Sequence, residues 1–376
     1  MNNTTKLGNF ISEYSVRNRA GDDIPVYSVT NKEGFCRDYF SKDVASQDRS
    51  TYKIVPRGCF AYNPSRINVG SVDWQRKEDR VIVSPLYVVF SVSKGLEQQY
   101  LYYYLKSEKC LYYIKELASG SVRDNLKLSM LKEFTIPNIT LEEQRKAVTV
   151  LEQTDRLITL QERQMTVLDE LIKSRFVEMF GDPSINSMGW PMKPFAETCT
   201  LLTGNTPPRA VKEYYGSYIE WIKSDNITTS SLYLTKAAEY LSKEGANVGR
   251  VVHTGAILMT CIAGSLNTVG NVAIVDRDVA FNQQINAFIP QQYETVFLYV
   301  LLQLLKPRLH EAASSALKCI LNKGNLESYA AIVPDMELQR QFSTFVSEVD
   351  KSKLAVKQSL EKLETLKKSL MQQYFG

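Results

Sequence analysis

A chain of 376 residues with 44% hydrophobic residues is long enough for more than one core, and its formal net charge of +4 gives no strong global field. That balance permits a nucleic-acid partner without demanding one, so any polyanion contact has to come from local patches. No apolar run reaches the roughly 18 residues of a membrane span, no signal-peptide pattern opens the chain, and the six cysteines show neither pairing nor zinc spacing, which together read as a cytoplasmic protein with reduced thiols and no membrane partner.

In chain order, segments 51–62 and 81–92 are rich in β-branched and aromatic residues, punctuated by Gly58 and Pro85, and read as strands. Segment 96–117 reads as a helix dense in tyrosine (Tyr100, Tyr102, Tyr103, Tyr104, Tyr112, Tyr113). At helical spacing these rings belong to core and interface more than to a stacking platform. A loop around Ser119 leads to Pro137, and Thr140 with Glu143 forms a capping box that opens a helix over 139–180. Gly181 ends it, followed by Asp182-Pro183. Segments 250–260, 270–275 and 285–290 then read as strands, 294–313 as a helix, and a loop around Ser314 follows. Asp335, behind Pro334, is the expected N-cap of a last helix over 336–375.

The order repeats because the chain repeats. Phe180-Gly181 recurs as Phe375-Gly376, Gln144-Arg145 as Gln339-Arg340, Asp155 as Asp350, Leu126 and Leu131 as Leu321 and Leu326, always at one offset (376 − 181 = 195). Repeats decide architecture before local propensities do. Each copy ends in a helix of about 40 residues, roughly 60 Å long. Apolar residues recur along both at alternating spacings of four and three, the coiled-coil period. Leu151, Ile158, Met165, Leu168 and Ile172 lie on the first seam, and Val349, Val356, Leu363 and Leu370 on the second. These nine are the candidate interface residues. The simplest way to cover two such stripes is to pack the helices on each other, antiparallel, within one chain. The fold class expected is therefore α+β: two mixed α/β domains in pseudo-two-fold repeat, at 1–137 and 182–334, joined by antiparallel coiled-coil helices at 138–181 and 335–376.

The polar loops differ between the copies. In the first, Arg57, Tyr62, Asn63, Ser65, Arg66, Asn68, Ser71 and Arg76 are the candidate DNA-binding residues. In the second they are Arg209, Lys212, Lys223, Ser224, Asn226, Ser265, Asn267, Gln283 and Gln284. Arg and Lys suit guanine edges and phosphates, Asn and Gln suit adenine, and Ser bridges either. Taken singly, Asn, Ser, Gly and Pro also build turns. The grouping of Arg with Asn and Gln in both copies is what favours DNA readout.

A search for catalysis returns little. Asn63-Pro64-Ser65-Arg66 faintly resembles the Asn-Pro-Pro-aromatic motif of adenine methyltransferases, but lacks the second proline and the aromatic. No glycine-rich loop suits S-adenosylmethionine or a nucleotide phosphate. His253 and His310 stand alone, without metal or triad spacing. Two reading surfaces without visible chemistry point to a targeting subunit rather than an enzyme. The alternatives are a catalytic methyltransferase or nuclease fragment, and a purely structural coiled-coil scaffold.

The order of short motifs, with the helix repeat, resembles the specificity subunit of type I restriction–modification systems over nearly the whole chain. The matching stretches include Glu142-Glu143-Gln144-Arg145-Lys146, Leu171-Ile172-Lys173-Ser174-Arg175-Phe176, Phe180-Gly181-Asp182-Pro183 and Gly189-Trp190. In copy two they are Gly204-Asn205-Thr206-Pro207-Pro208-Arg209, Trp221-Ile222-Lys223 and Asn282-Gln283-Gln284-Ile285-Asn286-Ala287. In copy one they are Tyr62-Asn63-Pro64-Ser65-Arg66-Ile67, Gly70-Ser71 and Ser84-Pro85-Leu86-Tyr87, a different target-domain type. One departure is Asn205, where many family members carry a second glycine; asparagine tolerates a left-handed backbone better than most residues, so the turn survives on that account. The resemblance implies two target recognition domains, each reading one half of a split site on double-stranded DNA. It implies as partners two modification (methyltransferase) subunits and restriction (translocase/nuclease) subunits. S-adenosylmethionine, ATP and Mg would sit on those partners, with no cofactor or metal on this chain, and target adenines would be flipped into the partner's pocket.

Overall fold

The computed structural model describes residues 3–37, 49–118, 125–228, 231–312 and 320–376; the loops around Ser119 and Ser314, and Cys319, lie outside the described residues. The chain groups into two units, Met1–Glu162 with Ser359–Gly376, and Arg163–Gln358. This division differs from the four expected segments. Each long helix is shared between two units, since a helix of roughly 60 Å outruns the core of one domain.

In the first unit a four-stranded antiparallel sheet runs in the order Ile11–Glu13, Val88–Val92, Phe60–Tyr62, Val72–Trp74. The expected strand 51–62 is two strands, Lys53–Pro56 and Phe60–Tyr62, because Gly58 turns the chain at φ 86°. The tyrosine segment is likewise two helices, Gln98–Leu105 and Glu108–Ala118. The break falls at Ser107, whose hydroxyl accepts from the Cys110 amide at 3.2 Å. Tyr100, Tyr103 and Tyr104 are buried in the core as expected, whereas Tyr112 and Tyr113 are exposed.

The second unit repeats the sheet order with Cys199–Thr203, Ile285–Pro290, Ile257–Thr260 and Val272–Ile274. It adds a mixed sheet in the order Tyr240–Leu241, Tyr215–Ile222, Val279–Phe281, Val251–Val252. There Trp221 and Ile222 pair in parallel with Ala280 and Phe281. The helix Thr295–Ala312 supplies Phe297, Leu298, Leu301 and Leu302 to the core.

Both long helices, Leu141–Phe180 and Met336–Phe375, are 40 residues. The first opens on the expected capping box. The Thr140 amide donates to Glu143 Oε2 at 2.8 Å, and the Glu143 amide donates to Thr140 Oγ1 at 3.3 Å. Within each unit the two helical segments run antiparallel. In the first, Ala147, Val148 and Leu151 share a cluster with Leu370, Tyr374 and Phe375, and Asp155 meets Lys367 at 2.6 Å. In the second, Phe176 and Phe180 pack on Phe342, and Asp169 meets Lys353 at 2.7 Å. The seam residues are therefore covered by the chain's own helices. Leu151, Val349 and Val356 are buried, and Ile158, Met165, Leu168, Ile172, Leu363 and Leu370 half-buried. The large apolar residues exposed on these helices are Leu141, Val150, Leu157, Leu160, Val167, Leu171, Val177, Leu354 and Leu366.

Among the described residues no helix is long and apolar enough to cross a membrane. Cys36, Cys59, Cys110, Cys199 and Cys261 are free and buried. Burial pushes the thiols of Cys110, Cys199 and Cys261 up to about 12, so they stay protonated and unreactive near neutrality.

Candidate nucleic-acid interface

In the second unit, main-chain geometry brings three polar loops to one end of the mixed sheet. The Asn282 amide donates to Ile222 O at 3.1 Å, tying 282–284 to the end of strand Tyr215–Ile222. The Asn205 amide donates to Phe281 O at 3.1 Å, which brings in 204–209. Gly204 is required there, since a Cβ would stand 2.1 Å from Asn282 O. Asn205 does not need the left-handed backbone expected of it; among the described residues the non-glycine with positive φ is Asn186. Its side chain holds the loop instead. Asn205 Oδ1 accepts from the Arg250 amide at 2.6 Å, and Nδ2 donates to Val248 O at 2.8 Å. Thr206 Oγ1 donates to Gln283 Oε1.

Arg209 and Lys223 converge on this surface. The Arg209 guanidinium lies 4.6 Å from the Tyr215 ring centre and 4.9 Å from that of Trp221. The Lys223 ammonium lies 5.2 Å from Trp221. Both cations pair with one carboxylate. Glu239 Oε2 takes Arg209 Nη2 at 2.8 Å, and Oε1 takes Lys223 Nζ. The Lys223 hydrogen bond, with Arg209 behind it, holds the Glu239 carboxyl below the usual carboxylate range, so Glu239 is ionised near neutrality. Neighbouring Glu220 does a different job: largely covered, it grips Arg277 at 2.7 Å. Lys212 is exposed and Ser224 half-buried.

Not all the expected residues belong here. Asn226 is corrected: it is buried, and its side chain accepts from the Lys223 amide at 3.0 Å and donates to Lys236 O at 3.1 Å. Gln284 is half-buried, its Oε1 accepting from Asn282 Nδ2 at 3.3 Å. Ser265 and Asn267 stand exposed on a separate loop, tied to helix Thr295–Ala312 by Lys306 Nζ donating to Asn267 O at 2.6 Å.

In the first unit Tyr62 and Ser71 are corrected, because both are buried; the Tyr62 hydroxyl donates to Leu126 O at 3.1 Å. Asn63 builds a turn, its Oδ1 accepting from the Ser65 amide at 3.1 Å and the Ser65 hydroxyl at 2.9 Å. That turn leaves Arg66 exposed, without a carboxylate partner among the described residues, with Ser65 exposed and Asn68 half-buried beside it. Arg57 is held by Asp79 at 3.0 Å. Arg76 is paired with buried Asp73 at 2.9 Å and lies 5.1 Å from the Trp74 ring centre and 5.8 Å from that of Tyr102. Lys106 covers Tyr102 at 4.8 Å. The acidic members of both clusters, Asp73 and Glu239, were missed by a search for basic and amide residues, and the aromatic members Trp74, Tyr102, Tyr215 and Trp221 were not counted among the candidate site residues. One signal was available: Trp221 and Lys223 stand two apart at a strand end, and so on one face.

Two features now stand together: one sheet order used twice, and cation-bearing loops that differ between the copies. The family model for the type I restriction modification DNA specificity domain matches residues 8–170 and again 188–366. The chain belongs to that family. Among curated members, the HindI specificity subunit of Haemophilus influenzae is 30% identical over 156 residues, 40% of this chain and 33% of that one. The match thus spans about a third of that relative's length. Among solved structures, a chain from work on complex assembly and conformational transition of the type I restriction–modification system aligns over 99% of this chain and 97% of its own, with TM-score 0.60 at 17% identity. The S subunit from M. genitalium aligns over 100% and 96%, with TM-score 0.56 at 14% identity. At these identities the two structures speak for the fold of the specificity-domain family alone.

Proposed function

We propose that this chain is the sequence-reading, non-catalytic subunit of a type I restriction–modification complex. Each unit contacts one half of a bipartite site on double-stranded DNA, through the Arg66 turn in one case and the Arg209–Lys223 face in the other. The observation that carries this reading is the doubled specificity-domain match laid over two copies of one sheet whose cationic loops differ. A shared frame with divergent loops is what reading two unlike half-sites requires, because phosphate contacts position a protein while base contacts specify. Two modification subunits dock on the chain, where the exposed leucines of the helices offer apolar contact, and restriction subunits join them. S-adenosylmethionine, ATP and Mg belong to those partners, and the place of action is cytoplasmic DNA.

The test assembles the chain with its modification subunits and maps methylated motifs. Arg66→Ala relaxes one position of one half-site, at a cost of about 1–3 kcal/mol. Arg209→Ala does the same in the other half. If either variant relaxed both halves equally, the assignment of one unit to one half-site would be wrong. A complex that methylated without sequence preference would leave the scaffold reading in its place.

A further inference from the structure

Arg209 is not a free reader. Its Nη2 is taken by Glu239, its Cζ lies 4.6 Å from the Tyr215 ring centre and 4.9 Å from that of Trp221, and its Nε and Nη1 have no protein acceptor among the described residues. Lys223 occupies the other oxygen of the same carboxylate. The cluster thus carries two cations and one anion on an aromatic floor, with side-chain exposures of 55%, 32% and 35% for Arg209, Lys223 and Glu239. Two mobile cations without a counter-charge would take any phosphate, since phosphate binding is sequence-independent. One fixed guanidinium, with one fork still open (the second Nη2 hydrogen beside that of Nη1 or of Nε) and half the local charge cancelled, suits a different acceptor. A guanine edge presents two acceptors, O6 and N7, in that spacing.

Resting on the DNA-reading function proposed above, we infer that Glu239 is the positioning residue of the second unit's reading face. It holds Arg209 and Lys223 over Tyr215 and Trp221 so that the free edge of Arg209 meets a guanine, and it cancels the charge that would otherwise favour bare phosphate. Glu239 touches no base in this scheme and acts through Arg209.

The experiment uses the full chain assembled with its modification subunits, and two labelled duplexes of equal length, one carrying the methylated motif and one with that motif scrambled. Glu239→Gln keeps the shape and removes the charge. It is expected to bind the scrambled duplex more tightly, with the dependence of log K on log salt steeper by about one, the value for one additional phosphate. Preference for the motif should fall roughly tenfold, the loss confined to the positions that Arg209→Ala relaxes. Adding Arg209→Ala to Glu239→Gln should cost little further discrimination. Glu239→Asp keeps the charge and should keep the wild-type salt slope. Glu311→Gln removes the same charge from an exposed pair with Arg308 and should change neither duplex. The inference is overturned if Glu239→Gln leaves the salt slope unchanged, or weakens both duplexes evenly as a merely structural residue would. It is equally overturned if one base preference shifts at constant slope, which would make Glu239 itself the reader. A wild-type complex without preference for the motif sinks the proposed function itself, a result separable from any response to Glu239→Gln.

Discussion

Two glutamines explain why the repeat is visible at all. Gln144 is buried at the start of the first long helix; its Oε1 accepts from the Glu97 amide at 2.9 Å and its Nε2 donates to Gly95 O at 3.0 Å and Ile139 O at 3.1 Å. Gln339 does the same in the second unit, accepting from the Glu294 amide at 2.9 Å and donating to Pro334 O at 2.8 Å. One carboxamide thus satisfies both the loop before the domain helix and the chain entering the long helix, with donor and acceptor on one group at a reach one methylene longer than asparagine's. Gln339→Ala removes these bonds and leaves the Glu294 amide unpaired in a half-buried place. The expected loss is about 1–3 kcal/mol, seen as a lower midpoint in denaturant unfolding. An unchanged midpoint would mean that water replaces the amide without cost. Phe180 and Phe375 recur for a similar reason. Phe180 packs on Phe297 at 4.9 Å between ring centres and Phe375 on Tyr100 at 5.0 Å, so each helix ends by seating its ring on a domain helix.

At the scale of elements, the antiparallel seam makes a direct prediction. Asp169 and Lys353 touch across the helices of the second unit, as Asp155 and Lys367 do in the first. Cysteines substituted at Asp169 and Lys353, or at Asp155 and Lys367, are expected to join within one chain under a short bifunctional thiol reagent. The product should run as a monomer on a denaturing gel. Bands only at dimer mass would mean that the helices pair between chains. The helices themselves were legible because capping chemistry and a 3.5-residue period are local properties of sequence. The strands of segment 51–62 and the helices of segment 96–117 were legible in place but not in number, since the breaks at Gly58 and Ser107 depend on a positive φ and a hydroxyl cap. The site was the least legible part. Asn63, Tyr62, Ser71 and Asn226 look like ligand-binding residues in composition, yet burial and turn-building claim them, and both are tertiary facts. Glu239 escaped notice because an acidic residue opposes the charge being sought, although pairing is what fixes a cation in place.

For the whole molecule the question is whether any chemistry resides in this chain. The residues that could have carried it are engaged elsewhere. The Asn63 carboxamide accepts two bonds inside its own turn, where a methyltransferase motif would aim it at a base. His310 is tied by its ring to Val269 O at 2.8 Å, and His253 to Asp278 at 3.0 Å. The buried thiols of Cys110, Cys199 and Cys261 stay protonated near neutrality, which denies them the thiolate that attacks or binds metal. Among the described residues no His, Cys, Asp and Glu group is placed to hold a metal ion. On the function proposed above, we expect the purified chain, mixed with DNA and radiolabelled S-adenosylmethionine, to transfer no methyl group and, with ATP and Mg, to cut nothing. Adding the modification subunits should start methylation at one bipartite motif, and Asn63→Ala should leave the rate of that methylation unchanged once the complex is formed on its site. Methyl transfer by the isolated chain that disappeared in Asn63→Ala would reverse the assignment, because the turn at Asn63 would then have to open into an active site.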